Sequence, residues 1–208
     1  MKAEIHGIFP TPVYLNKIDR KFTKPELNFI NKQIDKCRKN VGNIHTKDNY
    51  IFKNSTALKN LETFINECIK DYFDKIIKTS NNVTPYITQS WLNYTRNNEF
   101  HHLHAHSNSF LSGVFYINAD KKTDGIKFWN KEQVPVIKLE TKEYTLLNSG
   151  TWKFPVETGD LILFPSTVNH SVDTVESKNM RISLAFNVFL KGTIGSNKNL
   201  TELIIWKE

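Results

Sequence analysis

The chain has 208 residues, 39% hydrophobic and 12% aromatic, so it can bury a sizeable core and is expected to fold as a single domain over 1–208. Lys and Arg exceed Asp and Glu by 28 − 21 = +7, but the lysines are scattered and form no block of five or six, which describes a solvated basic surface, or attraction for an anionic substrate or co-substrate, and gives no nucleic-acid signature. No apolar run approaches the roughly 20 residues of a membrane helix, and the opening MKAEIHGIFPTPVY has no apolar signal core, so a soluble, cytoplasmic protein is expected.

The elements are taken in chain order. IFPTPVYL, residues 8–15, reads as a short strand interrupted by Pro10 and Pro12, which confines it to a sheet edge or a wrapping segment. Thr23 has the look of a helix N-cap, with Pro25 in the first turn and Glu26 at the third position. Leu27, Ile30 and Ile34 then recur at helical spacing, and the helix is expected to reach about Arg38. Residues 40–54 are polar and irregular, with His45 as a lone loop histidine. A second helix is predicted over Ser55 to Ile77. Its apolar stripe of Leu58, Leu61, Ile65, Cys68, Ile69, Tyr72, Phe73 and Ile76 should pack against a sheet. Cys37 and Cys68 both fall in predicted helices without Cys-x-x-Cys spacing, so they are read as unpaired thiols and not as zinc ligands.

From Thr84 the period changes to strands. They are expected at Tyr86 to Tyr94, Phe110 to Asn118, GIKFWN after a turn at Lys121 to Gly125, two or three short pieces in 134–158, Leu161 to Phe164, Ile182 to Leu190 and Leu203 to Trp206. Helices first and many short strands afterwards indicate an α+β fold, mainly β, with helical support in 1–80 and a closed or jelly-roll sheet in 84–208.

Four of the seven histidines crowd into His101, His102, His104 and His106. In an extended segment His104 and His106 would face one side and could hold one metal ion together. A third ligand is available in His170, at the far end of GDLILFPSTVNH, where Pro165 ends a strand so that a loop can present it. Ten residues separate His170 from Arg181, which opens RISLAFNVF. Neutral imidazole suits iron, zinc, copper and nickel, so ligand type does not choose the metal. Asp160, in the GD turn, is read as capping that turn.

HAHSNSFLSGVFY and GDLILFPSTVNH followed by RISLAFN resemble the 2-oxoglutarate/Fe(II)-dependent oxygenases, within them the small group carrying H-x-H…SGVYY and GDLVLFPS…H…RISIAFN segments. The motifs cover residues 91–190, about half the chain. The resemblance implies a double-stranded β-helix. It also implies a dioxygenase that turns 2-oxoglutarate and O2 into succinate and CO2 while hydroxylating a substrate. It assigns Fe(II) to His104, His106 and His170. It assigns the far carboxylate of 2-oxoglutarate to Arg181, whose planar fork pairs two oxygens at once, helped by Ser183 on the same strand and by Tyr116, with Asn93 as a further candidate. No carboxylate is evident to pair Arg181 inside its apolar strand, and an incoming co-substrate would supply one. The commonest oxygenase triad has a carboxylate where this chain has His106, so the same three histidines could instead hold zinc. His102 is a candidate for supporting the site or touching substrate, and Phe128 and Trp129 for barrel wall. A cupin-like metal protein without oxygenase activity is the principal alternative, and a binding protein that kept only the barrel is a third. The expected partner is a small-molecule or peptide substrate, with no membrane, and a homodimer is admissible. The substrate itself is not legible.

Overall fold

A computed structural model describes residues 2–130, 137, 139–176 and 178–206. The architecture is mostly β, a jelly-roll double-stranded β-helix built from two antiparallel sheets with helices packed outside. The larger sheet has the strand order β1 (Tyr14–Lys17), β9 (Asp160–Pro165), β6 (Leu111–Asn118), β11 (Arg181–Ile194), β4 (Val83–Thr95), β3 (Ile44–Thr46) and β2 (Cys37–Lys39), with β12 (Leu203–Ile205) pairing the far end of β11. The smaller sheet runs β5 (His101–His104), β10 (Asn169–Val172), β7 (Gly125–Trp129) and β8 (Thr151–Pro155).

The first helix, α1 (Lys24–Gln33), starts as its sequence predicts: the Thr23 hydroxyl accepts the Glu26 N–H at 3.3 Å, and the Glu26 carboxylate accepts the Thr23 N–H at 2.7 Å. It stops at Gln33, short of the expected Arg38, because Ile34–Lys36 tighten into a 3-10 turn and Cys37–Lys39 become β2. The polar stretch after it is not irregular throughout. It holds β3 and the short helix α2 (Ile51–Asn54). Helix α3 (Lys59–Tyr72) continues through a π turn at Phe73–Ile77. Leu58, Leu61, Ile65, Cys68, Ile69, Tyr72 and Phe73 are buried against the larger sheet, each large aliphatic contributing about 1.5–3 kcal/mol. Ile76 does not join them and is 37% exposed, because the π turn moves it off the helical stripe. Both cysteines are free: Cys68 lies in α3, whereas Cys37 is in a strand and not a helix.

β4 and β11 form the longest ladder, from Arg181 opposite Thr95 to Gly192 opposite Val83. Their alternation splits the interior in two. Leu92, Tyr94, Phe115, Leu161, Leu163, Leu184 and Phe186 face the helices, and the Tyr94 hydroxyl donates to the Ile30 carbonyl at 2.5 Å. Tyr116, Ile162 and Phe164 face the other way, against Ile126, Phe128 and Val156, and fill the space between the sheets. Gly113, inside β6, has a steric reason to be glycine: a Cβ there would stand 2.1 Å from the Phe186 ring. Of the strands expected in 134–158, β8 is the one found among the described residues; 131–136 and 138 lie outside them. The prolines of the first strand precede β1, which takes the edge position expected of it. Among the described residues no helix is long and apolar enough to cross a membrane.

Candidate metal centre

His170 lies on a short strand of its own, β10, and not on the loop expected for it. It sits opposite His104 of β5 on one side and Phe128 of β7 on the other. The next pair along is Val172 with His101, so one residue of β10 faces two of β5. That extra residue is a β-bulge. It turns His101 to the same side as His104, and the two rings stack with centroids 4.7 Å apart at 17°. His106 is outside β5, in a loop fixed by its own N–H donating to the Ser166 carbonyl at 3.0 Å. Its ring lies parallel to His170 at 5.2 Å and 7°, with Trp91 at 5.9 Å on the other flank. The fully extended His-x-His of the sequence is therefore half strand and half loop.

One ligand nitrogen from each of His104, His106 and His170 lies within 4.8 Å of the other two. Two of the rings have their tautomer fixed. His104 Nδ1 is 2.8 Å from the His102 carbonyl, and His170 Nδ1 is 3.1 Å from the Val168 carbonyl. A carbonyl can only accept, so each Nδ1 carries the proton and each Nε2 keeps a lone pair for a metal. Burial, reinforced by the neighbouring imidazoles, pushes His170 down to about 3 and His106 to about 4, and burial also lowers His104. All three are neutral at pH 7, which is the form that binds, and this donor set fits a divalent transition metal.

His101, His102 and His104 form a second group within the same distance. His104 has one free nitrogen, so the two groups compete for it. The group containing His170 has the stronger case, because two of its rings are already aimed by backbone carbonyls. Burial and the charges around it push His101 down to about 2.

The four residues read as holding a dicarboxylate share one face of the larger sheet. Ser183 of β11 stands opposite Asn93 of β4 and opposite Tyr116 of β6. Arg181 is two residues along β11 and faces the same way. None is more than 7% exposed. Arg181 has a carboxylate neighbour that sequence reasoning missed: Asp124 Oδ1 lies 3.8 Å from Nη1, while Nη2 donates to Thr95 Oγ1 at 3.1 Å. The pair is loose. Asp124 Oδ1 has no hydrogen-bond partner, Oδ2 accepts the Asp120 N–H at 2.8 Å, and burial lowers the Arg181 pKa despite Asp124 and Tyr116. Burial pushes the Tyr116 phenol up, so it is a proton donor at neutral pH. Asn93 Oδ1 is buried without a partner. A guanidinium with donors to spare beside orphaned polar atoms is a place that would accept a polar ligand.

The same row continues outward. His45 stands opposite Asn93, and Arg38 opposite His45. The lone loop histidine is thus a strand residue facing the barrel mouth. Its neighbours gave no sign of this, since β2 and β3 are three residues each in a polar stretch. Phe128 lines the interior as wall, whereas Trp129 alternates outward, 38% exposed, and donates to Ser171 Oγ at 2.8 Å. Asp160 Oδ2 accepts the Glu157 N–H at 2.8 Å and caps its turn.

Residues 89–187 match the model of a family described as "Putative 2OG-Fe(II) oxygenase". No curated protein matches the sequence. Among solved structures, the chain is similar to an oxidoreductase of the 2OG-Fe(II) oxygenase family from Burkholderia pseudomallei, at 12% identity and TM-score 0.55, covering 78% of this chain and 76% of that one. It is similar to HygX from Streptomyces hygroscopicus, crystallised with nickel and 2-oxoglutarate, at 9% identity and TM-score 0.54, covering 86% and 82%. It is also similar to a prolyl-4-hydroxylase from Pseudomonas putida, at 11% identity and TM-score 0.54, covering 85% and 92%. At such identities the likeness is one of fold.

Proposed function

The comparisons support the 2-oxoglutarate/Fe(II) oxygenase superfamily for this chain, and on that premise we propose that it is an Fe(II)/2-oxoglutarate-dependent dioxygenase acting as a hydroxylase. The observation that carries the proposal is the meeting of His104, His106 and His170 within 4.8 Å, beside a buried row of Asn93, Ser183 and Tyr116 flanked by Arg181.

His104, His106 and His170 would hold Fe(II) through neutral imidazoles, two of them aimed by backbone carbonyls. Arg181 and Ser183, with Tyr116 and Asn93, would bind the far carboxylate of 2-oxoglutarate and orient the keto acid toward the metal. Thr95 accepts a hydrogen bond from the Arg181 guanidinium, and the Asp124 carboxylate stands loosely beside it. Phe128, Phe164 and Ile162 exclude water from the inner wall. With O2, iron and 2-oxoglutarate together supply the oxidising chemistry, giving succinate, CO2 and a hydroxylated substrate.

The test is succinate formation by purified protein given Fe(II), 2-oxoglutarate and O2, with thermal stabilisation by 2-oxoglutarate as a readout independent of turnover. Succinate that disappears in His170→Ala and Arg181→Ala is the expected result. No succinate and no stabilisation would overturn the reading. One observation favours the alternative of a cupin-like metal protein: Arg181 already has Asp124 nearby. On that reading Arg181→Ala leaves metal affinity unchanged and 2-oxoglutarate protects neither protein.

A further inference from the structure

A cavity of about 250 Å3 opens beside the histidines, and its lining takes Arg38 and His45, the outer end of the row, but none of Asn93, Ser183, Tyr116 or Arg181. Arg38, His45, Gln89, Trp91, His102 and His104 line it, and among the described residues no acidic side chain does. Three features bear on what it would take. First, Arg38 is exposed, its Nε lies 3.4 Å from His45 Nε2, and no carboxylate pairs it among the described residues. The cavity it lines is otherwise imidazole, amide and indole, and a guanidinium fork matches a planar anion. Second, His102 Nδ1 is buried with no hydrogen-bond partner. A buried polar atom of that kind is a place for a ligand atom. Third, Trp91 offers a flat face at the inner end, next to His106 at 5.9 Å.

We propose that this cavity is the substrate site, and that it takes a small molecule with a flat body and one anionic group, a carboxylate or a phosphate. The anion lies at Arg38 and the body against Trp91, which brings its C–H bonds to the edge of the triad. The volume is below the roughly 300–1,000 Å3 of drug-sized pockets, so it suits a small metabolite and not a folded partner. The row Arg38–His45–Asn93–Ser183–Tyr116 then serves two anions, one at the rim and one at the base. This assignment rests on the oxygenase reading for the chemistry, though not for the binding.

The experiment is equilibrium binding to the full chain, by calorimetry or ligand-observed NMR, without iron or 2-oxoglutarate. The probes are benzoate, its neutral analogue benzamide, and phenyl phosphate. Benzoate or phenyl phosphate should bind at least tenfold more tightly than benzamide, and whichever binds more tightly identifies the headgroup. Arg38→Gln should abolish that advantage while leaving the melting temperature unchanged, and Trp91→Leu should weaken all three probes. The proposal is overturned if neither anion outcompetes benzamide, or if the advantage survives Arg38→Gln. It is also overturned if the advantage is lost in Arg181→Gln instead, which would place the anion at the inner row. Arg38-dependent binding in a protein that makes no succinate would sink the oxygenase reading alone. Succinate without Arg38-dependent binding would sink the cavity assignment alone.

Discussion

Taking the metal-free protein from pH 8 to pH 5 should remove a large part of its stability, through three buried imidazoles. His101, His106 and His170 are held near 2, 4 and 3 in the fold, below the ordinary histidine value of 6.5, chiefly by burial. The sign follows from proton uptake. Below 6.5 the unfolded chain protonates these rings and the folded chain does not, so stability is complete above 6.5 and drains away as the pH falls toward the folded values. At pH 5 the gap from 6.5 corresponds to about 2 kcal/mol for each ring, at roughly 1.4 kcal/mol per pH unit. Three rings acting independently would remove about 6 kcal/mol, against the 5–15 kcal/mol that a domain of ordinary stability possesses. Urea unfolding followed by circular dichroism, after chelator treatment, measures this directly at pH 8, 7, 6 and 5. A loss below about 1 kcal/mol at pH 5 would refute the reasoning, because it would mean that the rings are solvated or already charged in the fold. Added divalent metal should stabilise strongly at pH 8 and progressively less toward pH 5, since protons compete for the same nitrogens.

Three further outcomes are expected. Removing a ligand costs more than the roughly 10–100-fold lost with a supporting group, so His106→Ala should lower metal affinity more than about 100-fold and His102→Ala far less. Competition against a coloured chelator reads both, and the reverse order would move the metal to the His101–His102–His104 group. Asp124→Asn leaves the Arg181 charge buried without its counter-ion and should cost about 3 kcal/mol. 2-Oxoglutarate should raise the melting temperature of this variant more than that of the unmodified protein, and equal shifts would mean that it does not meet Arg181. Gly113→Ala puts a methyl 2.1 Å from Phe186 and 2.8 Å from Leu163, so calorimetry should show a loss of about 1–3 kcal/mol.

What could be read from the sequence was whatever carried its own local signal. The Thr23–Glu26 box, the apolar stripe of α3 and the alternating runs of β6 and β11 each announce themselves within a dozen residues. Arg181, Ser183, Tyr116 and Asn93 could be named from the sequence as candidates, and the structure adds the cross-strand register that brings Asn93 and Tyr116 to Ser183. The bulge in β5 could not be foreseen, since it depends on how β10 pairs with it. Nor could Asp124, which lies far from Arg181 along the chain and approaches it only when the sheets close. β2 and β3 were missed because strands of three residues in a polar stretch have no period to detect.

β3 is joined to β4 at two positions, Ile44 with Tyr94 and His45 with Asn93, whereas β4 and β11 are joined along twelve. The outermost ribbon of the large sheet is therefore its weakest seam, and such seams open by fluctuation long before a protein melts. Arg38 and His45 travel with that ribbon, while Arg181 and the three imidazoles stay on the part that does not part. Residence time at the rim would then be governed by how often two short strands let go, and retention deeper in by the global stability of the barrel.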